Sequence, residues 1–315
     1  MKLTAQETGV YAIAPTPFLP DGQVDTRSID RMTDFYGEAG CRGITALGIM
    51  GEAHKLETEE SFDIAARIIK RFSGPVVIGV SAPGFAAMRK LAQFAMDRGA
   101  AGVMIAPTPS LRTDDQIVSY FRQAVEAIGT DIPWVLQDYP LTLSVIMTPA
   151  VIQRIVADNP SCVMLKHEDW PGLEKISTLR DLQVKGALKP LSILCGNGGL
   201  FLDMEMHRGA DGAMTGYAFI DALVEIVSLF AEGKTDAAHD LFDAHLPFLR
   251  YEQQQGIGLA IRKYVMMRRG ILTSDTQRKP GPSLTAKARA DISFLLDRMA
   301  RLDRRAALMA AEYAA

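Results

Sequence analysis

Cys162-Val163-Met164-Leu165-Lys166 is an apolar run that ends on an amine. In an enzyme built on parallel strands, the carboxyl ends of the strands open into the active site, and an ammonium group placed there is half out of water. Nucleophilic work asks such an amine to bring its pKa from ~10.4 to ~7–8, roughly 4 kcal/mol of desolvation or like-charge repulsion, which the inside of a closed sheet can supply. The other reading is a rim lysine that snorkels outward and pairs with Glu168 or Asp169. The strand alone does not separate the two.

Outward from this run, short β-branched stretches recur at 10–14, 43–47, 76–80, 102–106, 134–137, 192–195 and 212–215, which with 162–166 makes eight strands. Amphipathic stretches lie between them, among them 59–72, 86–98, 114–128 and 149–157, the last with Thr148 as N-cap and Pro149 at its first position. Strands alternating with helical crossovers form a parallel sheet. Eight such units close a barrel more naturally than they extend an open sheet, so the expected class is α/β, a (β/α)8 barrel. Periodicity alone leaves a doubly wound sheet open, although no GxGxxG opens the first helix as a dinucleotide domain would need. Past Ala231 the strand signal stops, and 235–255, 258–267 and 285–303 read as helices around a loop at 274–282. The division expected is a barrel at 1–231 and a C-terminal helical extension at 232–315.

A length of 315 residues and 48% hydrophobic composition allow a large core. The net charge of −3 excludes the electrostatic footprint of a nucleic-acid binder, which leaves a small molecule as the expected partner. Cys41, Cys162 and Cys195 have no CxxC spacing, so neither a disulfide framework nor a zinc site is indicated. Met1-Lys2-Leu3-Thr4-Ala5-Gln6 does not read as a signal peptide and no stretch is long enough to span a membrane. The expectation is a cytoplasmic protein.

The second strand runs into Gly48-Ile49-Met50-Gly51-Glu52, a tight turn that presents consecutive backbone N–H groups at a strand end, as a carboxylate ligand needs. Glu52 reads as the cap of the following helix, with a proton carrier as the alternative. His54 reads as a packed or surface histidine that would otherwise touch a substrate hydroxyl. His167, Glu168 and Asp169 resemble a magnesium set, but consecutive residues point in different directions and rarely hold one ion, so no metal is expected.

Joined to Lys166 and to Gln137-Asp138-Tyr139-Pro140, the glycine turn resembles the dihydrodipicolinate synthase and N-acetylneuraminate lyase family of Schiff-base lyases. Thr16-Pro17-Phe18 with Asp21-Gly22, Gly196-Asn197-Gly198 and Gly212-Ala213-Met214-Thr215-Gly216 extend the resemblance over essentially the whole chain. The family implies a (β/α)8 barrel with a helical extension, assembled as a homo-oligomer, usually a tetramer or else a dimer. Its lysine forms an imine with the ketone of a 2-oxo acid and needs no other cofactor; Lys166 is the match.

Members that make dihydrodipicolinate carry a tyrosine where Gln137 stands, an arginine near Thr142 and a second tyrosine in the region of Pro107-Thr108-Pro109-Ser110; all three are missing. Glutamine has no titratable proton, and Thr142 cannot replace a bidentate grip on a carboxylate. The chain looks closer to the branch that dehydrates 2-keto-3-deoxy sugar acids such as L-2-keto-3-deoxyarabonate, which also reads Gln-Asp-x-Pro and resembles Leu246-Pro247-Phe248, Glu252 and Gln255-Gly256-Ile257. The resemblance therefore implies Lys166, Gln137 and Thr215 as catalytic, and Thr16, Gly48, Ile49, Met50, Gly51, Tyr139, Gly196 and Gly216 as substrate-binding. Dehydration leads; a pyruvate-releasing aldolase, a dihydrodipicolinate synthase and a silent 2-oxo-acid-binding barrel are the alternatives.

Overall fold

The computed structural model describes residues 1–170 and 172–306. Strands β1 (Gly9–Ile13), β2 (Gly43–Ala46), β3 (Val76–Gly79), β4 (Gly102–Ile105), β5 (Trp134–Asp138), β6 (Cys162–His167), β7 (Ser192–Cys195) and β8 (Gly212–Thr215) close in sequence order into an all-parallel barrel. The expected (β/α)8 barrel is the fold, and the doubly wound alternative is excluded because β1 pairs with β8. Strand β2 stops one residue before the expected Leu47, which turns to φ 58°. Strands β5 and β6 each run one residue further than expected.

Helices α1 (Thr26–Glu38), α2 (Thr58–Arg71), α3 (Phe85–Asp97), α4 (Asp114–Ile128), α5 (Pro140–Leu143), α6 (Pro149–Asp158), α7 (Leu173–Val184), α8 (Leu202–His207) and α9 (Ile220–Ala231) lie between and after the strands. Their starts are written in the sequence. Glu57 with Glu60, and Thr113 with Gln116, make capping boxes for α2 and α4, while the Thr148 hydroxyl accepts from Val151 N ahead of Pro149 in α6.

Strand alternation divides the core into two shells. Tyr11, Ile13, Val77, Met104, Val135, Met164, Leu194 and Met214 fill the barrel, whereas Ile44, Ile78, Ile105, Leu136, Leu165, Ile193 and Ala213 face the helices. Full burial of each large apolar side chain contributes about 1.5–3 kcal/mol. On β6 the same alternation sends Met164 inward, Leu165 outward and Lys166 inward.

Past α9 come α10 (Thr235–Glu252), α11 (Gly258–Arg268) and α12 (Ala286–Met299), and the last nine residues of the expected extension lie outside the described residues. Helix α10 ends three residues before the expected 255, where Gly256 takes φ 81°. Helix α11 is buried on nearly every side, including Arg262 and Lys263. Two buried cations on one helix need partners, and both partners stand at the barrel mouth. No described helix is long and apolar enough to cross a membrane.

Candidate active site

The β5–β6 register puts Gln137 beside Lys166 and Asp138 beside His167. Because sides alternate, Gln137 and Tyr139 share the inner side of β5, as Lys166 and Glu168 share that of β6. Lys166 Nζ lies 2.8 Å from Glu168 Oε1, and Gln137 Nε2 donates to the same oxygen at 2.7 Å. Lys166 is 4% exposed and Glu168 6%. The two sequence readings of the lysine thus meet: it pairs with Glu168, but inside the barrel mouth and not on the rim. Glu168 is fixed from behind, where the Asn197 side-chain amide donates to its carbonyl at 2.9 Å. Gly196 leaves it room, since a Cβ there would fall 2.2 Å from Glu168 Cγ.

The cavity around Lys166 is also lined by Ile13, Ile49, Met50, Tyr139, Asn197, Gly198, Thr215, Gly216, Gln253 and Arg262. Of the expected binding residues, Ile49, Met50, Tyr139 and Gly216 stand on it. Gly196 stands behind Glu168, and Gly48 lines a neighbouring cavity. Thr16 and Gly51 line neither; the Thr16 hydroxyl donates to the Gly51 carbonyl at 2.6 Å and braces the turn. That turn, Ile49–Gly51, is a 3-10 helix whose own bonds use the N–H of Gly51 and Glu52. The N–H groups of Ile49 and Met50, at its start, are outside that bonding.

Tyr139 brings a phenol to the cavity from two residues beyond Gln137. Burial and the Glu168 charge push its pKa up, so the hydroxyl stays a donor. Thr215 is placed differently from the sequence reading. It lines the cavity at the end of β8, but by alternation it takes the side of Ala213, in the outer shell, and not that of Met214 inside.

Glu52 is not a helix cap. Its backbone is left-handed at φ 54°, its side chain makes no cap hydrogen bond, and it is 1% exposed. Its carboxylate accepts from Lys263 Nζ at 2.5 Å, Lys55 Nζ at 2.8 Å and Arg278 N at 3.1 Å. The residue ties the glycine turn to α11. Burial pushes the Lys263 pKa down to about 8, and its ammonium also lies over the Phe18 ring. His54 lines the neighbouring cavity of about 320 Å³ between β2 and β5, whose walls are mostly apolar: Leu47, Ala82, Pro83, Met104, Pro107 and Leu143 among them.

The would-be magnesium set is dispersed as its adjacency requires. Glu168 turns to Lys166, Asp169 to Lys175 Nζ at 2.7 Å, and His167 to the outer side of β6. Lys175 also holds Asp138 at 2.7 Å; burial raises the Asp138 pKa to about 6 and lowers that of His167 to about 4. Among the described residues no three His, Cys, Asp or Glu side chains are grouped to hold a metal ion.

Glu168, Gln253 and Arg262 were absent from the expected site residues. Glu168 had a signal, because a residue two beyond an inward lysine also points inward. Arg262 and Gln253 had none: α11 lacks a polar face that would single out Arg262, and the approach of the extension to the mouth is a tertiary fact.

The chain is 27% identical over 302 residues to an L-2-keto-3-deoxyarabonate dehydratase of Azospirillum brasilense, covering 94% of this chain and 96% of the relative. It is 30% identical over 239 residues to a 4-hydroxy-tetrahydrodipicolinate synthase of Pelobacter propionicus, covering 74% and 78%. A crystal structure described as dihydrodipicolinate synthase from Rhodopseudomonas palustris is 66% identical and superposes with a TM-score of 0.93 over 95% of this chain and 99% of that one. The family model described as the dihydrodipicolinate synthetase family matches residues 6–299, and the chain belongs to that family.

Proposed function

We propose that this protein is a Schiff-base lyase of 2-oxo acids and that its reaction is dehydration of a 2-keto-3-deoxy sugar acid. The observation that carries this reading is the buried trio of Lys166, Glu168 and Gln137 at the strand ends. The amine attacks the C2 ketone, with the N–H groups of Ile49 and Met50 taking the substrate carboxylate. An ammonium and a ketone give a protonated imine and one water, so the positive charge stays on nitrogen beside the C2–C3 bond. Glu168, 2.8 Å from that nitrogen before reaction, is the base within reach of a C3 proton. Its transfer leaves a neutral enamine and a protonated Glu168, which returns the proton to the departing C4 hydroxyl as water; the conjugated imine left behind tautomerises through the C5 enol, and one water hydrolyses it to the free product and Lys166. Gln137 cannot carry a proton; its amide holds the carboxylate in place. Tyr139, kept protonated, is a second donor toward the leaving oxygen.

Aldol cleavage uses the same imine but takes its proton from the C4 hydroxyl and breaks C3–C4, so the products decide between the two. Synthase activity is the reading that the name of the Rhodopseudomonas palustris structure favours. Against it stand Gln137 in place of a phenol and Thr142 in place of a cation. Incubation with a five-carbon 2-keto-3-deoxy acid should give a semialdehyde, and with a six-carbon one a 2,5-diketone; pyruvate release would establish the aldolase, and efficient condensation of pyruvate with aspartate semialdehyde the synthase. The proposal includes no metal and no cofactor beyond the imine on Lys166, a homo-oligomeric assembly, and a cytoplasmic location.

A further inference from the structure

The lysine cavity is closed on its β8 side by the C-terminal extension. Arg262, on α11, is 2% exposed; its Nε donates to Glu252 at 2.6 Å, while Nη1 is buried with no hydrogen-bond partner among the described residues. The guanidinium reaches the mouth across Gly216, where a Cβ would fall 2.2 Å from Nη1. Gln253, just past α10, repeats the arrangement: its Nε2 is buried, has no hydrogen-bond partner among the described residues and lies against Gly198. Both residues line the cavity that holds Lys166. A buried donor with no acceptor is destabilising, and a ligand oxygen at that point would relieve it.

Charge selects the kind of oxygen. Arg262 is matched by the fully buried Glu252 and Lys166 by Glu168, so these walls carry no net charge before a substrate enters. A 2-oxo acid already adds one carboxylate; a second would be a buried charge without compensation. A neutral hydroxyl fits. Beyond Tyr139, Asn197 and Gln253 a second cavity continues outward along Arg250, which donates to hydroxyls, and Gln254 and Gln255, whose amides both donate to and accept from them. The cavity on the opposite side is walled mostly by apolar groups.

We infer that Arg262 and Gln253 bind the hydroxyl groups of the substrate beyond C3, so that the C-terminal extension reads a hydroxylated tail; this rests on the imine reading of Lys166. The test compares two probes in Gln253→Leu and Arg262→Lys, the latter keeping a cation beside Glu252. One probe is pyruvate, which has no tail, trapped on Lys166 with borohydride and followed by mass spectrometry. The other is the steady-state KM and kcat for a 2-keto-3-deoxy sugar acid. Each variant should raise KM for the sugar acid about 3–10-fold, and the loss on it should exceed that on pyruvate. Equal losses on the two probes, or an unchanged KM, would overturn the inference. Failure of wild-type protein to trap pyruvate would overturn the imine reading itself, a separately visible result. Gln253→Leu alters no charge, so it carries the test if Arg262→Lys fails to fold.

Discussion

Lys166 and Glu168 stand two residues apart on one side of β6 and its continuation, and meet through a 2.8 Å ion pair inside the barrel mouth. The proton that the amine must shed to attack a ketone therefore has an acceptor already in contact. In the proposed reaction the same carboxylate is left beside the imine nitrogen afterwards, where a C3 proton has to be removed. In that reaction one residue serves both steps, and the Gln137 amide holds its carboxylate.

Glu168→Gln should lower kcat by about 10²–10⁴-fold, the usual cost of deleting a general acid or base, while the glutamine keeps the shape of the site. Steady-state kinetics measure it. A kcat within tenfold of wild type would remove Glu168 from the proton path.

Thr215→Val should cost less than about tenfold, because the alternation of β8 turns its hydroxyl toward the side of Ala213. A loss of a hundredfold or more, with the variant folded by circular dichroism, would restore the hydroxyl as proton donor to the leaving group.

Glu52→Gln removes the counter-charge of Lys263, which is itself fully buried. Breaking one side of such a pair costs about 3–5 kcal/mol, whereas Glu52→Leu with Lys263→Met should cost less than the sum of the single changes. Urea denaturation of wild type, Glu52→Gln, Glu52→Leu, Lys263→Met and the Glu52→Leu/Lys263→Met double variant measures this. Additive effects would mean that the pair does not couple the glycine turn to α11.

Glu205, on α8, has its carboxyl pushed from 4.5 up to about 8, first by burial. The folded protein therefore keeps a proton that the unfolded chain releases near 4.5. The stability this contributes is fully present below that value and is lost as pH rises through about 8, with a slope of up to ~1.4 kcal/mol per pH unit. Glu205→Gln should be increasingly more stable than wild type from pH 5 to pH 8 in urea titrations. Parallel stability curves would contradict the assignment.

The barrel was legible because each strand is a short apolar run and crossovers α1, α2, α4 and α6 carry their own N-caps, so local chemistry and global topology agree. Lys166 was legible for a related reason, as the one amine closing such a run. Gln137 beside it followed from strand pairing, and Glu168 was readable from the period of two. Glu52 misled: a carboxylate after a glycine turn matches a cap locally, and only Lys263, more than two hundred residues away, shows otherwise. Arg262 and Gln253 reach the site through packing of the extension, which no local pattern records.

The claim that Lys166 is the imine-forming residue is tested most directly by incubating the protein with pyruvate, reducing with borohydride and mapping the adduct by peptide mass spectrometry. The account predicts one adduct, on the peptide holding Lys166, and none in Lys166→Arg, whose guanidinium stays protonated and forms no imine. An adduct on Lys55 or Lys263, or turnover retained in Lys166→Arg, would contradict it.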